Sequence, residues 1–199
     1  MTAGTPRVDA MAHPPSGAGL VNVPNALTTL RLILVVPFAV ALLWQDGTNE
    51  TARIVATVLF VVASLTDYVD GYLARKQNLV TTFGKVADPI ADKLLTGTAL
   101  IGLTLLGELP WWVTVVILGR ELSVTLLRFW VINKGVIAAS RGGKLKTAAQ
   151  LLAIMLYLLP LTGAAETFAH VVMGIAVLLT VVTGIDYAFR AVALHRGKA

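Results

Sequence analysis

The chain has 199 residues, of which 56% are hydrophobic and 14% charged, with no cysteine and a net charge of +5. A soluble domain averages about 45–50% apolar and about 25% charged residues, so this composition, with a mean hydropathy of +0.78, falls outside that range in both directions. Wholesale disorder, collagen, disulfide scaffolds and zinc–thiolate sites are excluded on the same grounds, and the expected class is a polytopic membrane protein that uses its basic residues at a bilayer, with no nucleic-acid partner.

A membrane-crossing helix takes about 20 residues, which leaves room for six. Residues 1–20, with Pro6, Pro14, Pro15, Ser16 and Gly17, lack apolar periodicity and read as a disordered or interfacial cytoplasmic arm. Six spans follow, at about 25–44, 52–72, 88–107, 110–132, 147–164 and 168–190. The first opens at Pro24-Asn25 and carries Arg31 before the uncharged run Leu32–Trp44. Its exit, Trp44-Gln45-Asp46-Gly47, lacks a small-x-small cleavage pattern, so it reads as a retained helix. The second is apolar from Ile54 to Leu65 and then meets Asp67 and Asp70. A hairpin loop of roughly 76–87 leads to Asp88-Pro89, read as an N-cap with proline at the first helical position of the third span. The fourth starts with an interfacial pair, Trp111-Trp112, and is interrupted by Arg120-Glu121. The fifth follows a Gly142-Gly143-Lys144-Leu145-Lys146-Thr147 turn, and the sixth closes on Asp186 and Arg190, four residues apart. Residues 191–199 read as a basic cytoplasmic tail. The expected fold is therefore an all-α membrane protein with six transmembrane helices in one domain, residues 21–190, without internal repeats.

Loop charges orient it. The loops at 45–53, 107–110 and 163–168 hold one basic residue, Arg53, whereas the other side holds Arg7, Arg75, Lys76, Lys85, Lys134, Arg141, Lys144, Lys146, Arg190, Arg196 and Lys198. Eleven against one puts both termini in the cytoplasm, at the cell (inner) membrane.

Charges within spans are costly and mark function. Asp67 and Asp70 are three apart, and Asp88 and Asp92 four apart, so each pair occupies one helix face. The second span runs inward and the third starts from the same side, so the pairs meet at one depth. Four converging carboxylates repel unless protonated or bridged by a cation. An all-oxygen donor set points to Mg²⁺ or Mn²⁺, and four carboxylates suit two ions, an arrangement fit for phosphoryl or phosphatidyl transfer. On the same side lie Asn25, Thr28 and Arg31. Arg120 and Arg128 share a face across two turns, and Lys144 and Lys146 lie nearby; together these suggest phosphate recognition. Arg120 and Glu121, being adjacent, are expected to find separate partners. His13, His170 and His195 are too isolated to be ligands.

The spacing Asp67-x2-Asp70-Gly71-x2-Ala74-Arg75-x8-Gly84-x3-Asp88-x3-Asp92 resembles the signature of the CDP-alcohol phosphotransferase family, without departures. That resemblance implies a six-helix, usually homodimeric membrane enzyme in which an alcohol displaces CMP from a CDP-linked donor. It implies that Asp67, Asp70, Asp88 and Asp92 bind metal and that Asp92 is the catalytic base. It further implies that Gly71, Ala74, Arg75 and Gly84 contact nucleotide and pyrophosphate. The Pro-Asn-x-Leu-Thr-x-x-Arg opening, the Arg-Glu-Leu…Arg run and the Gly-Lys-x-Lys-Thr segment are similar to those of members that use CDP-diacylglycerol as donor and glycerol 3-phosphate as acceptor. Arg120, Arg128, Lys144 and Lys146 would then hold the acceptor phosphate, with Asn25, Thr28 and Arg31 lining the site. Inositol phosphate or another alcohol is the alternative acceptor. A divalent-cation transporter is the rival of a different class, but it calls for carboxylates near the midplane instead of at one edge.

Overall fold

The computed structural model describes residues 23–77, 82–131 and 141–195, except the side chains of residues 23–24, 68, 70–77, 82–86, 128–129, 131 and 141. The arm at 1–20, residues 196–199 of the tail, and the surroundings of Asp70, Gly71, Ala74, Arg75, Gly84 and Arg128 lie outside the described residues. Six helices follow in order: α1 (Val23–Leu43), α2 (Glu50–Gln77), α3 (Thr82–Leu105), α4 (Trp111–Val131), α5 (Arg141–Leu158) and α6 (Ala164–His195). No strand occurs among the described residues.

The turns explain where helices stop. Between α1 and α2, Gln45, Asp46 and Gly47 take positive φ of 51°, 53° and 71°, a region that L side chains other than Asn and Asp seldom enter. The Gln45 carbonyl compensates by accepting from the Thr48 N–H at 3.1 Å and the Thr48 hydroxyl at 2.7 Å. Asn49 then caps α2, its side-chain oxygen accepting from the Ala52 N–H at 2.9 Å. After α3, Gly107 at φ 77° lets the Glu108 N–H return to the Leu103 carbonyl at 3.0 Å, which closes the helix end.

Several boundaries differ from the sequence reading. Helix α3 begins at Thr82, so Asp88-Pro89 lies inside it and is not its N-cap. Proline in a helix interior removes one N–H and crowds the carbonyl four residues earlier, a cost that membrane helices accept where neighbouring helices and side chains re-satisfy the freed groups. The expected 76–87 loop shrinks accordingly, since α2 continues to Gln77. Gly142 to Thr147 is helical instead of a turn, with the Thr147 hydroxyl donating to the Gly143 carbonyl at 3.1 Å. Helix α6 continues through residues 191–195, so the tail begins as helix.

Helix α1 packs on α2 and α3, α6 on α5 and α4, and α2 meets α5 between these groups. Phe38, Leu42, Phe60, Leu100, Leu103, Ile117, Ile154 and Leu158 are fully or almost fully buried. Alanines 56, 63, 99, 153 and 176 are also at zero exposure, and such small residues let helix backbones approach closely. Gly102 is the tightest of these contacts, because a Cβ there would stand 2.6 Å from the Leu42 Cδ2. Gly102→Val is expected to cost about 1–3 kcal/mol of stability through overpacking, read as a lower unfolding temperature in detergent.

The outward faces are apolar. Ile33, Val36 and Val40 on α1, Val55, Val58 and Val62 on α2, and Phe168, Val171, Ile175, Leu178 and Val182 on α6 are all exposed. They repeat every three or four residues, so each helix carries a continuous stripe of a kind soluble monomers rarely show. The segment Asn25–Gly47 and helix Ala164–His195, at hydropathy 2.3 and 2.2, are long and apolar enough to cross a membrane.

One end of the bundle is tied by Arg53. Its side chain is 6% exposed and forks onto both oxygens of Glu108, the second at 2.8 Å. It also donates to the Leu158 carbonyl at 3.1 Å and the Tyr157 carbonyl at 2.6 Å. A single guanidinium thereby satisfies carbonyls at the end of α5, where intrahelical partners run out, and joins α2 to the α3–α4 turn.

Candidate active site

The other end of the bundle gathers the start of α1, the end of α2, the start of α3, and the facing parts of α4, α5 and α6. Arg31, at zero exposure, donates to the Asp67 carboxylate at 2.6 Å and through Nε to the Ala63 carbonyl at 3.1 Å. Burying a guanidinium is costly unless it is paired and hydrogen-bonded. Arg31 therefore ties α1 to α2 and orients Asp67, whose side chain remains 46% exposed. Thr28, equally buried, donates its hydroxyl to Asp88 and ties α1 to α3. Asn25 is buried one turn before Thr28. The three residues expected to line the site thus lie on the α1 face that meets the aspartates.

Asp92 is placed differently. It accepts no hydrogen bond among the described residues, yet it lies in the electrostatic field of Asp67, Glu121, Lys93 and Arg31. It lines a cavity of about 310 Å³ between α3, α4 and α5, together with Lys93, Thr96, Glu121, Lys146 and Gln150. Glu121 is the hub of that cavity. Lys146 donates to one of its oxygens, Arg120 reaches the same oxygen at 3.2 Å, and Lys93 stands 3.8 Å from the other. Arg120 and Glu121 therefore do meet, against expectation, because two long side chains can curl toward one point even when their Cβ atoms diverge. Arg120 also donates to the Thr183 hydroxyl at 3.1 Å. Gly184 makes room for it, since a Cβ there would come within 2.9 Å of the Arg120 Cγ.

Of the expected phosphate-binding cations, Lys146 is buried and lines the cavity. Arg120 and Lys144 are not part of its walls, and Lys144 is exposed. Sequence reading passed over Lys93, Glu121 and Gln150 as site residues. The available signals were an acid within an apolar helix for Glu121, and for Gln150 a position one turn from Lys146. His195 stacks on Trp130 at 4.0 Å, and His170 packs against Tyr157 at 5.4 Å, so both have packing roles. Arg190 pairs with Asp186 at 3.0 Å, as their spacing predicts.

The donor set fits a hard divalent ion in its chemistry. Asp67, Asp88 and Asp92 offer only oxygen, and in the first two a hydrogen bond to one oxygen orients the carboxylate. Among the described residues no group of three acidic or imidazole side chains forms a metal site by itself, and the side chain of Asp70 lies outside them.

Residues 21–182 match the family model of the CDP-alcohol phosphatidyltransferases. The chain is 53% identical over 189 residues to a Mycobacterium tuberculosis protein named a probable phosphatidylglycerophosphate synthase, covering 92% of this chain and 90% of that one. It is 42% identical over 179 residues to a Bacillus subtilis protein named CDP-diacylglycerol–glycerol-3-phosphate 3-phosphatidyltransferase, covering 83% and 93%. A Haemophilus influenzae protein of the same name is 36% identical over 172 residues, covering 83% and 91%. With the Asp67–Asp92 motif split across two helices that meet at one end of an all-helical bundle, and with relatives matched over most of their length, the chain belongs to the CDP-alcohol phosphatidyltransferase family.

Proposed function

We propose that this protein transfers a phosphatidyl group from CDP-diacylglycerol to glycerol 3-phosphate, giving phosphatidylglycerophosphate and CMP in phospholipid biosynthesis. The observation that carries this reading is the cavity lined by Asp92 together with Lys93 and Lys146, two cations gathered by Glu121 and suited to an acceptor phosphate, beside the Arg31–Asp67 pair. The names of the relatives support the same donor and acceptor.

In this mechanism the acceptor phosphate binds at Lys93 and Lys146, while Arg120, which meets Glu121 from outside the cavity wall, and the exposed Lys144 contribute positive charge at longer range, as does Arg128. Asp92 accepts the proton of the attacking hydroxyl. That oxygen bonds to the β-phosphorus of the donor, the bond from the β-phosphorus to the bridging oxygen breaks, and CMP leaves with that oxygen. Gly71, Ala74, Arg75 and Gly84 contact the nucleotide and pyrophosphate, and Arg31 and Thr28 hold Asp67 and Asp88 in place. Two Mg²⁺ or Mn²⁺ ions held by Asp67, Asp70, Asp88 and Asp92 would supply charge neutralisation at the pyrophosphate.

The same reading has all six helices crossing the inner (cell) membrane, with both termini and the site at the cytoplasmic face. The loop-charge asymmetry and the outward apolar stripes support it. The family resemblance supports a homodimer built around one six-helix domain, residues 21–190, per chain. The test is CMP release by detergent-purified protein with CDP-diacylglycerol, Mg²⁺ and one acceptor at a time. Release with glycerol 3-phosphate alone is expected. Release only with inositol phosphate would overturn the acceptor, and release with none from folded protein would favour the cation transporter.

A further inference from the structure

The end of the bundle opposite the aspartates holds a second cavity, of about 570 Å³, where the turns between α1 and α2, α3 and α4, and α5 and α6 meet. Glu50, Arg53, Glu108, Tyr157, Glu166 and His170 line it, and the mechanism above uses none of them. Arg53 already donates through Nε and both terminal nitrogens, to Glu108 and to carbonyls at the end of α5, so it has little to offer an anion. Glu50 and Glu166 are exposed, and their carboxylates have no ion pair or hydrogen bond among the described residues. Nδ1 of His170 stands 2.7 Å from the Glu166 carbonyl. A carbonyl only accepts, so Nδ1 carries the proton and Nε2 of the neutral ring is an acceptor. Tyr157 is only 9% exposed, yet its hydroxyl is open to solvent and makes no hydrogen bond among the described residues. A phenol held in a wall normally finds a partner, and this one lies in the electrostatic field of Glu108 and Glu166, two carboxylates of the same cavity.

We propose that this cavity binds a primary ammonium group, carried by a lipid headgroup or a soluble amine. The carboxylates, the imidazole nitrogen and the phenol oxygen left open can all accept, so the ligand brings N–H donors and a positive charge, and an ammonium supplies three diverging donors. A quaternary ammonium has the charge without the donors, so the site separates the two. No three acidic or imidazole side chains among the described residues form a group able to hold a metal ion, which argues against a bare divalent cation. In the orientation proposed above the cavity opens at the outer face, so a lipid would enter from the outer leaflet. Ammonium binding itself does not depend on the transfer reaction.

The experiment follows the unfolding temperature of the full chain in neutral detergent, at fixed ionic strength, while ethanolamine, choline or Mg²⁺ is titrated. In parallel, native mass spectrometry compares retention of phosphatidylethanolamine with that of phosphatidylcholine. The ethanolamine group, free or on the lipid, is expected to bind saturably, and its choline counterpart at least about tenfold more weakly, as the loss of hydrogen bonds to a charged group implies. Glu50→Gln combined with Glu166→Gln is expected to weaken binding by at least about tenfold, and Tyr157→Phe by about three- to tenfold. Both glutamates are exposed, so the unliganded unfolding temperature of the double variant should stay within about 2 °C of wild type. Binding of the lipid but not of free ethanolamine assigns the ammonium to a headgroup, and the reverse assigns it to a soluble amine; either supports the site. Equal binding of the choline compounds, no binding of either amine, or binding unchanged in the double variant would overturn it. Stabilisation by Mg²⁺ that the same two substitutions abolish would overturn it in favour of a metal ion. The comparison of ethanolamine with choline needs no variant. Folded protein that binds the amine but releases no CMP would overturn the transfer reaction and leave this site standing.

Discussion

Asp92→Asn is expected to lower CMP release by about 1,000-fold while leaving the unfolding temperature within about 2 °C of wild type, consistent with loss of a positioned base. The reason lies in how this carboxylate is held. Asp67 and Asp88 each accept a hydrogen bond from a buried group on α1, so replacing either would disturb packing as well as chemistry. Asp92 accepts none among the described residues, and its neighbour Lys93 pairs with Glu121. Asparagine preserves the shape of the side chain and leaves no described donor without its acceptor. Initial-rate CMP assays alongside detergent-phase thermal unfolding check both halves of the expectation. Near-wild-type turnover would remove Asp92 from the role of base.

The opposite pattern is expected for Arg53→Ala. Arg53 is buried, forks onto Glu108 and satisfies two carbonyls at the end of α5. Its removal strands those carbonyls and leaves Glu108 without the cation that held it. Glu108 is exposed and is rehydrated when the cation goes, so the loss comes mainly from the stranded carbonyls, about 1–3 kcal/mol, which in a chain of this size corresponds to about 2–12 °C of unfolding temperature. Because Arg53 and the aspartates lie at opposite ends of the bundle, turnover per folded molecule should stay within about twofold of wild type. Arg53→Lys should recover only part of the lost stability, since an ammonium keeps the charge but not the planar fork. A melting temperature equal to wild type for Arg53→Ala would show that the clamp contributes nothing.

The two residues illustrate a division visible throughout the protein. The Asp67–Asp92 motif was legible because its information is local. Spacings of three and four residues place side chains on one helix face whatever the rest of the chain does, and an apolar run about 20 residues long implies a helix by itself. Helix ends were less legible. Asp88-Pro89 has the composition of a helix start, yet α3 had already begun at Thr82, so Pro89 sits in a helix interior that packing against neighbouring helices maintains despite the local signal. The glycines and lysines before the fifth span read as a turn but fold as the first turns of α5.

By itself, then, the sequence determined the helical class, the spacing of the aspartates over two helices and the family they imply. Tertiary structure alone decided which group meets which. Thr28 reaches Asp88 across 60 positions and Arg31 reaches Asp67 across 36. Arg53 finds Glu108 across 55 positions and serves as a clamp, where its place in the sequence marked only an outer loop. Glu121 draws Lys93, Arg120 and Lys146 from three helices to one carboxylate. The physical reason is that helix propensity and periodicity act within a few turns, whereas a buried charge takes whichever partner the packing of distant helices brings to it.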